Sequence, residues 1–92
     1  MVEGKTKSGF KFKIDERVLD DWRLLKCIAL SESKDTSEQM RGASGLVSLL
    51  LGDQEDALMD FIAKKNKGLV PATAVTETVA EILTSVKELK NS

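Results

Sequence analysis

The chain has 92 residues, a net charge of −1, one Cys and no His, which is enough for one domain with one modest hydrophobic core. Without His or a second Cys, metal sites built on imidazole or paired thiolates are excluded, as are Ser-His or Cys-His catalysis and an internal disulfide. The near-zero net charge gives no global attraction to nucleic acid or anionic membranes. We therefore expect no enzyme activity and no cofactor.

The N-terminal part predicts one short strand. Residues 1–8 look like a flexible leader, and Phe10, Phe12 and Ile14 then alternate with lysines, which is the period of a half-buried strand. A lone strand leaves its backbone groups unpaired. We therefore expect it to pair with residues 69–70, the only plausible internal partner, or with another subunit.

A first helix is predicted from about residue 16 to 31, with Asp15 as its N-cap. At 100° per residue, its central apolar stripe consists of Val18, Trp22, Leu25 and Ala29, and this makes Trp22 a candidate core anchor. Further apolar residues flank the stripe on both sides, so that the apolar arc covers about two-thirds of the helix. This is wider than the face of a one-sided surface helix.

Three more helices are expected in the rest of the chain. The first covers about residues 38–51 with Thr36 or Ser37 as its cap, and the next covers about residues 54–65 with Asp53 as its cap. The last has Pro71 in its first turn or Thr73 as its cap. Its apolar stripe is Val75, Val79, Ile82, Leu83, Val86 and Leu89. Gly42 and Gly45 lie in the segment of residues 38–51, where they would either let a neighbouring helix approach closely or delay the start of the helix to about residue 43. The predicted fold is mainly α: a small bundle of about four helices preceded by one short N-terminal strand, with residues 9–92 as a single helical domain.

Several apolar residues do not fit one small core, and we predict that they bind a partner. On the helices these are Leu24, Ile28, Leu49 and Met59. Burying each Leu-sized side chain is worth roughly 1.5–3 kcal/mol, and leaving several exposed makes a patch that monomers avoid. The strand containing Phe10 and Phe12 is expected to offer an edge for subunit contact.

Two nucleic-acid patterns are present but weak. Residues 42–45 match the GXXG of a KH loop but lack the accompanying sheet. Lys5, Lys7, Lys11 and Lys13 lie around the two Phe residues, like a surface that stacks single-stranded bases, but the alternation turns both rings inward. We do not expect nucleic acid as a partner. No stretch approaches the roughly 20 apolar residues of a membrane span, and no signal peptide opens the chain, so the expected location is the cytoplasm.

Three segments resemble small tail assembly chaperones of long-tailed (siphovirus-type) phages and prophages of Gram-positive bacteria. Residues 8–22 contain an aromatic-alternating strand, an acidic helix start and Leu-Asp-Asp followed by an aromatic residue; residues 49–55 and 86–92 match further, whereas residues 31–45 depart from the family pattern. The resemblance implies a non-catalytic oligomer that binds the tape-measure protein, a long, helical, aggregation-prone chain, and other tail proteins. A connector component retained in the phage particle and a small nucleic-acid-binding regulator are the alternatives.

Overall fold

In the computed structural model, which describes residues 1–91 and their side chains through residue 88, an N-terminal antiparallel hairpin precedes the helices. The elements are β1 (Val2–Lys5), β2 (Lys11–Ile14), a 3-10 helix (Glu16–Asp20), α1 (Trp22–Ser31), α2 (Thr36–Leu51), a 3-10 turn (Gly52–Gln54), α3 (Glu55–Lys65) and α4 (Ala72–Asn91). The predicted mainly helical fold is confirmed, and each predicted helical segment contains an α-helix. The predicted place of the Leu89 side chain lies outside the described residues.

The prediction of a single strand is wrong. β1 pairs with β2 in a register that places Val2 opposite Ile14 and Gly4 opposite Phe12. The Phe12 ring covers Gly4 so closely that a Cβ there would lie 2.6 Å from ring atom Cζ. Residues 1–8, which we expected to be a flexible leader, therefore contain a strand that completes the hairpin within one chain. Residues 69–70, which were the predicted internal partner, are exposed and do not pair with the strand.

The outer edge of β2 is covered by a side-chain amide. Lys13 N–H donates to Gln54 Oε1 (2.9 Å), and Gln54 Nε2 donates to the carbonyl oxygen of Lys13 (2.7 Å). The amide thus presents one acceptor and one donor to Lys13, as the backbone of a neighbouring strand would. These two bonds also tie the hairpin to the connection between α2 and α3.

A break at Asp21 divides the predicted first helix. Asp15 caps the 3-10 helix by accepting from Arg17 N–H, as expected of an N-cap, but Asp21 is extended (φ −74°, ψ 124°) and caps α1 by accepting from Arg23 N–H. The break changes which residues face inward: Leu24 is 0% exposed and Trp22 is 77% exposed. The prediction of Trp22 as a core anchor is therefore wrong.

Close packing joins α1 to α2 at two glycines. A Cβ on Gly42 would clash with the backbone of α1, 2.5 Å from the carbonyl oxygen of Cys27, and a Cβ on Gly45 would clash with Cys27 Sγ. The predicted close approach of a helix at these glycines is thus confirmed. The predicted caps of α2 and α3 are wrong, because Asp35 caps α2 and no side chain caps α3.

One core lies between the hairpin and the helices. Its buried members are Val2, Phe10, Phe12, Ile14, Leu24, Leu46, Val47, Leu50, Leu51, Leu58, Ile62, Val79, Ile82 and Val86. Phe10 extends toward α3, where its ring centroid lies 5.5 Å from that of the half-buried Phe61. The hairpin therefore supplies part of the core and does not stand apart from the helices.

Candidate functional site: an apolar groove between α2 and α4

An open apolar groove lies between α2 and the first half of α4. Its main part has a volume of about 530 Å³, and an adjoining recess of about 220 Å³ extends it toward α3. The two parts share the lining residues Met40, Ala43, Val47, Ala72, Val75 and Thr76. This shared lining makes them one continuous surface depression.

The groove has a buried floor and an exposed apolar rim. Val47 and Val79 belong to the core and form the floor, whereas Met40 on the rim is 54% exposed. Small side chains, among them Ala43 and Ala72, line the walls. Small residues allow the backbone of an incoming element to come close, and an unbranched Met adapts to different apolar surfaces.

Two of the six residues predicted to bind a partner line this groove. Ile28 lies on its α1 side and Met59 on its α3 side, and both are half-buried. Leu49 is half-buried elsewhere, in a recess that it shares with Val18 and the 3-10 helix. For Ile28, Met59 and Leu49, partner binding stays a prediction.

The other three predicted residues lie in the core. Phe10, Phe12 and Leu24 are 5%, 4% and 0% exposed. The Phe rings face the core because the strand carries its apolar side inward, and Leu24 turns inward because α1 starts anew after Asp21. We therefore correct their assignment from a partner-binding surface to the core.

The sequence analysis missed a second apolar surface, on the outer face of α1. Trp22 and Leu25, three residues apart, are 77% and 46% exposed. The signal was a repeated Asp-X-Arg pattern, in which Arg17 pairs with Asp15 and Arg23 pairs with Asp21. Each pair marks a helix start, and a second helix start at Asp21 indicates a break in the predicted first helix.

The charges that line the groove are all negative. Glu32 lines its main part and Glu55 lines the recess, and no Lys or Arg lines either part among the described residues. Glu55 Oε1 accepts from the Ser48 hydroxyl (3.1 Å). The groove therefore combines an apolar lining with two carboxylates.

Within residues 1–91, no group of three or more His, Cys, Asp or Glu side chains could hold a metal ion. No helix in that part of the chain has the length and apolar character needed to cross a membrane.

No protein-family model, curated protein or solved structure matches this chain.

Proposed function

We propose that this protein is a small, non-catalytic tail assembly chaperone that binds the tape-measure protein of a long-tailed phage before the tail tube forms. The observation that carries the proposal is the open apolar groove between α2 and α4. The sequence resemblance in residues 8–22, 49–55 and 86–92 supplies the class of client.

The groove has the form that recognises an amphipathic helix. Two helices form its walls, core residues form its floor, and the exposed Met40 lies on its rim. An amphipathic helix binds such a groove by its apolar face, through side chains spaced three and four residues apart. A long helical client would present many such faces, and covering them would keep it from aggregating.

The outer face of α1 supports a second contact in the same role. An exposed Trp is frequently an anchor of protein interfaces, and Trp22 lies beside the exposed Leu25. This surface is available to another copy of the chain or to a further part of the client. The finer prediction of a homo-oligomer thus stays part of the proposal.

The structure offers less to the nucleic-acid alternative. Phe10 and Phe12 are buried, so neither ring is available to stack on a base. Lys13 forms an ion pair with Glu3 at 3.1 Å. The lysines of the hairpin therefore lack the aromatic platform that single-strand binding uses.

Co-expression with the tape-measure protein of the same phage tests the proposal. We expect the client to move into the soluble fraction and to co-purify with this chain. Met40→Glu should reduce both effects, because a hydrated carboxylate would replace the apolar side chain that the client's apolar face contacts. Ala57→Glu is the matched control: it introduces the same side chain at an exposed position of α3 outside the groove, and it should behave as the wild type.

Two results would contradict the proposal. One is a client that stays insoluble beside the wild-type chain, and the other is a Met40→Glu variant that works as well as Ala57→Glu. Mass spectrometry of purified particles separates the connector alternative, because a chaperone should be absent from them and a connector present in fixed proportion.

A further inference from the structure

We infer that the groove between α2 and α4 is selective for a basic amphipathic helix, in which Lys or Arg residues flank the apolar face. The inference rests on the proposed function in one respect: the helix would belong to the client. It adds the chemistry by which one segment of a long client would be chosen over another.

The shape of the groove argues for a helix as its occupant. On α2 the lining runs from Gln39 to Val47, which at 1.5 Å per residue corresponds to about 12 Å, or a little over two helical turns. The depression is open along the surface, and its exposed rim at Met40 would cover the side of an incoming element. A helix of a few turns fits this geometry.

The charge of the groove argues for a basic occupant. Glu32 and Glu55 line different parts of it, one beside the end of α1 and the other at the start of α3. The ion pairs of the described residues join Glu3 to Lys13 and two aspartates to arginines, so neither groove carboxylate belongs to one. Lys or Arg on an occupant would complete these pairs, whereas Glu or Asp would be repelled.

Two designed helical peptides of about 16 residues test the inference. Both carry the same Leu and Ala face; one has Lys at the flanking positions and the other has Glu. The anisotropy of each fluorescently labelled peptide is measured as the full chain is added. The Lys peptide should bind about tenfold more tightly than the Glu peptide, because the Lys peptide gains two exposed ion pairs and the Glu peptide gains two repulsions. Raising the salt concentration should reduce the difference.

Matched variants separate the groove from the overall charge of the chain. Glu32→Gln combined with Glu55→Gln should remove most of the preference for Lys. Glu16→Gln combined with Asp60→Asn changes the net charge equally at exposed positions outside the groove and should retain the preference.

Several outcomes would overturn the inference. They are equal affinity for the two peptides, no binding of either, an equal effect of both double variants, or a groove occupied by a second copy that neither peptide displaces. Failure of the proposed function remains distinguishable. A chain that prefers the Lys peptide but leaves the tape-measure protein insoluble contradicts the function alone, and a chain that solubilises the client without the preference contradicts the inference alone.

Discussion

Gly42 shows how one hydrogen atom in place of a side chain sets the distance between two helices. Alanine has a higher intrinsic helix propensity than glycine, by up to about 1 kcal/mol. Replacing an exposed glycine in the middle of a helix with alanine would therefore stabilise the helix. At Gly42, however, a Cβ would meet the backbone of α1 at Cys27 and Ser31, and backbone cannot rotate away. Steric overlap therefore outweighs the gain in helix propensity, and Gly42→Ala should be destabilising.

We predict that Gly42→Ala destabilises the protein by about 1–3 kcal/mol, the usual cost of overpacking. Urea unfolding followed by circular dichroism measures the effect. Ser44→Ala, at an exposed position two residues further along α2, is the control and should change the free energy of unfolding by less than about 0.5 kcal/mol. Equal stability of Gly42→Ala and the wild type would show that α1 lies further from α2 than described.

Trp22 and Leu24, two residues apart in α1, allow a second test at this scale. Leu24→Ala should destabilise by about 2–5 kcal/mol because it leaves a cavity in the core. Trp22→Ala should cost less than about 1 kcal/mol, because the indole is mostly exposed in the isolated chain. If urea unfolding showed that Trp22→Ala destabilises the protein more than Leu24→Ala, the result would support the predicted continuous helix with Trp22 in the core.

At the scale of elements, two charged caps divide the segment between the hairpin and α2. Asp21 accepts hydrogen bonds from the Arg23 guanidinium and from Arg23 N–H, and these bonds lower the pKa of the carboxyl from 3.8 to about 2. Asp15 and Arg17 repeat the arrangement, with the same lowered pKa of about 2 for the Asp15 carboxyl. Both helix starts are therefore capped by carboxylates that stay ionised below the usual pH range for Asp.

The direction of the pKa shift fixes the expected pH dependence. Since the pKa of Asp21 is lower in the folded chain than in the unfolded one, its ionised form stabilises the fold above about pH 4, and this contribution is lost as the pH falls toward 2. In Asp21→Asn, which still caps a helix, urea midpoints measured from pH 5 to pH 2 should fall less steeply than in the wild type. Asp20→Asn controls for the altered net charge; identical slopes in both variants would contradict the capping role.

At the scale of the whole molecule, the sequence predicted those features that rest on strong local periodicity. The inward face of β2 follows from strict alternation, and α3 and α4 follow from clear amphipathic stripes. β1 was missed because its Val-Glu-Gly-Lys sequence has only one large apolar residue, Val2. Its place depends on Phe12 packing over Gly4, a contact between residues eight apart that no local pattern reveals.

The candidate site was predictable only in part, for a related reason. Ile28 and Met59 stood out as apolar residues beyond the needs of one core, and both line the groove. The groove itself exists because α4 packs beside α2 without covering Met40, and that placement depends on tertiary structure. A single extended residue, Asp21, likewise breaks the predicted first helix, and Leu24 rather than Trp22 lies in the core.

The bond pattern of Gln54 has a consequence for how copies of the chain can associate. Open strand edges are templates on which other extended segments add and grow into fibrillar ladders. At Lys13 that template is already filled by the Gln54 amide. Ribbon-like growth from this side of the hairpin is thereby blocked at Lys13.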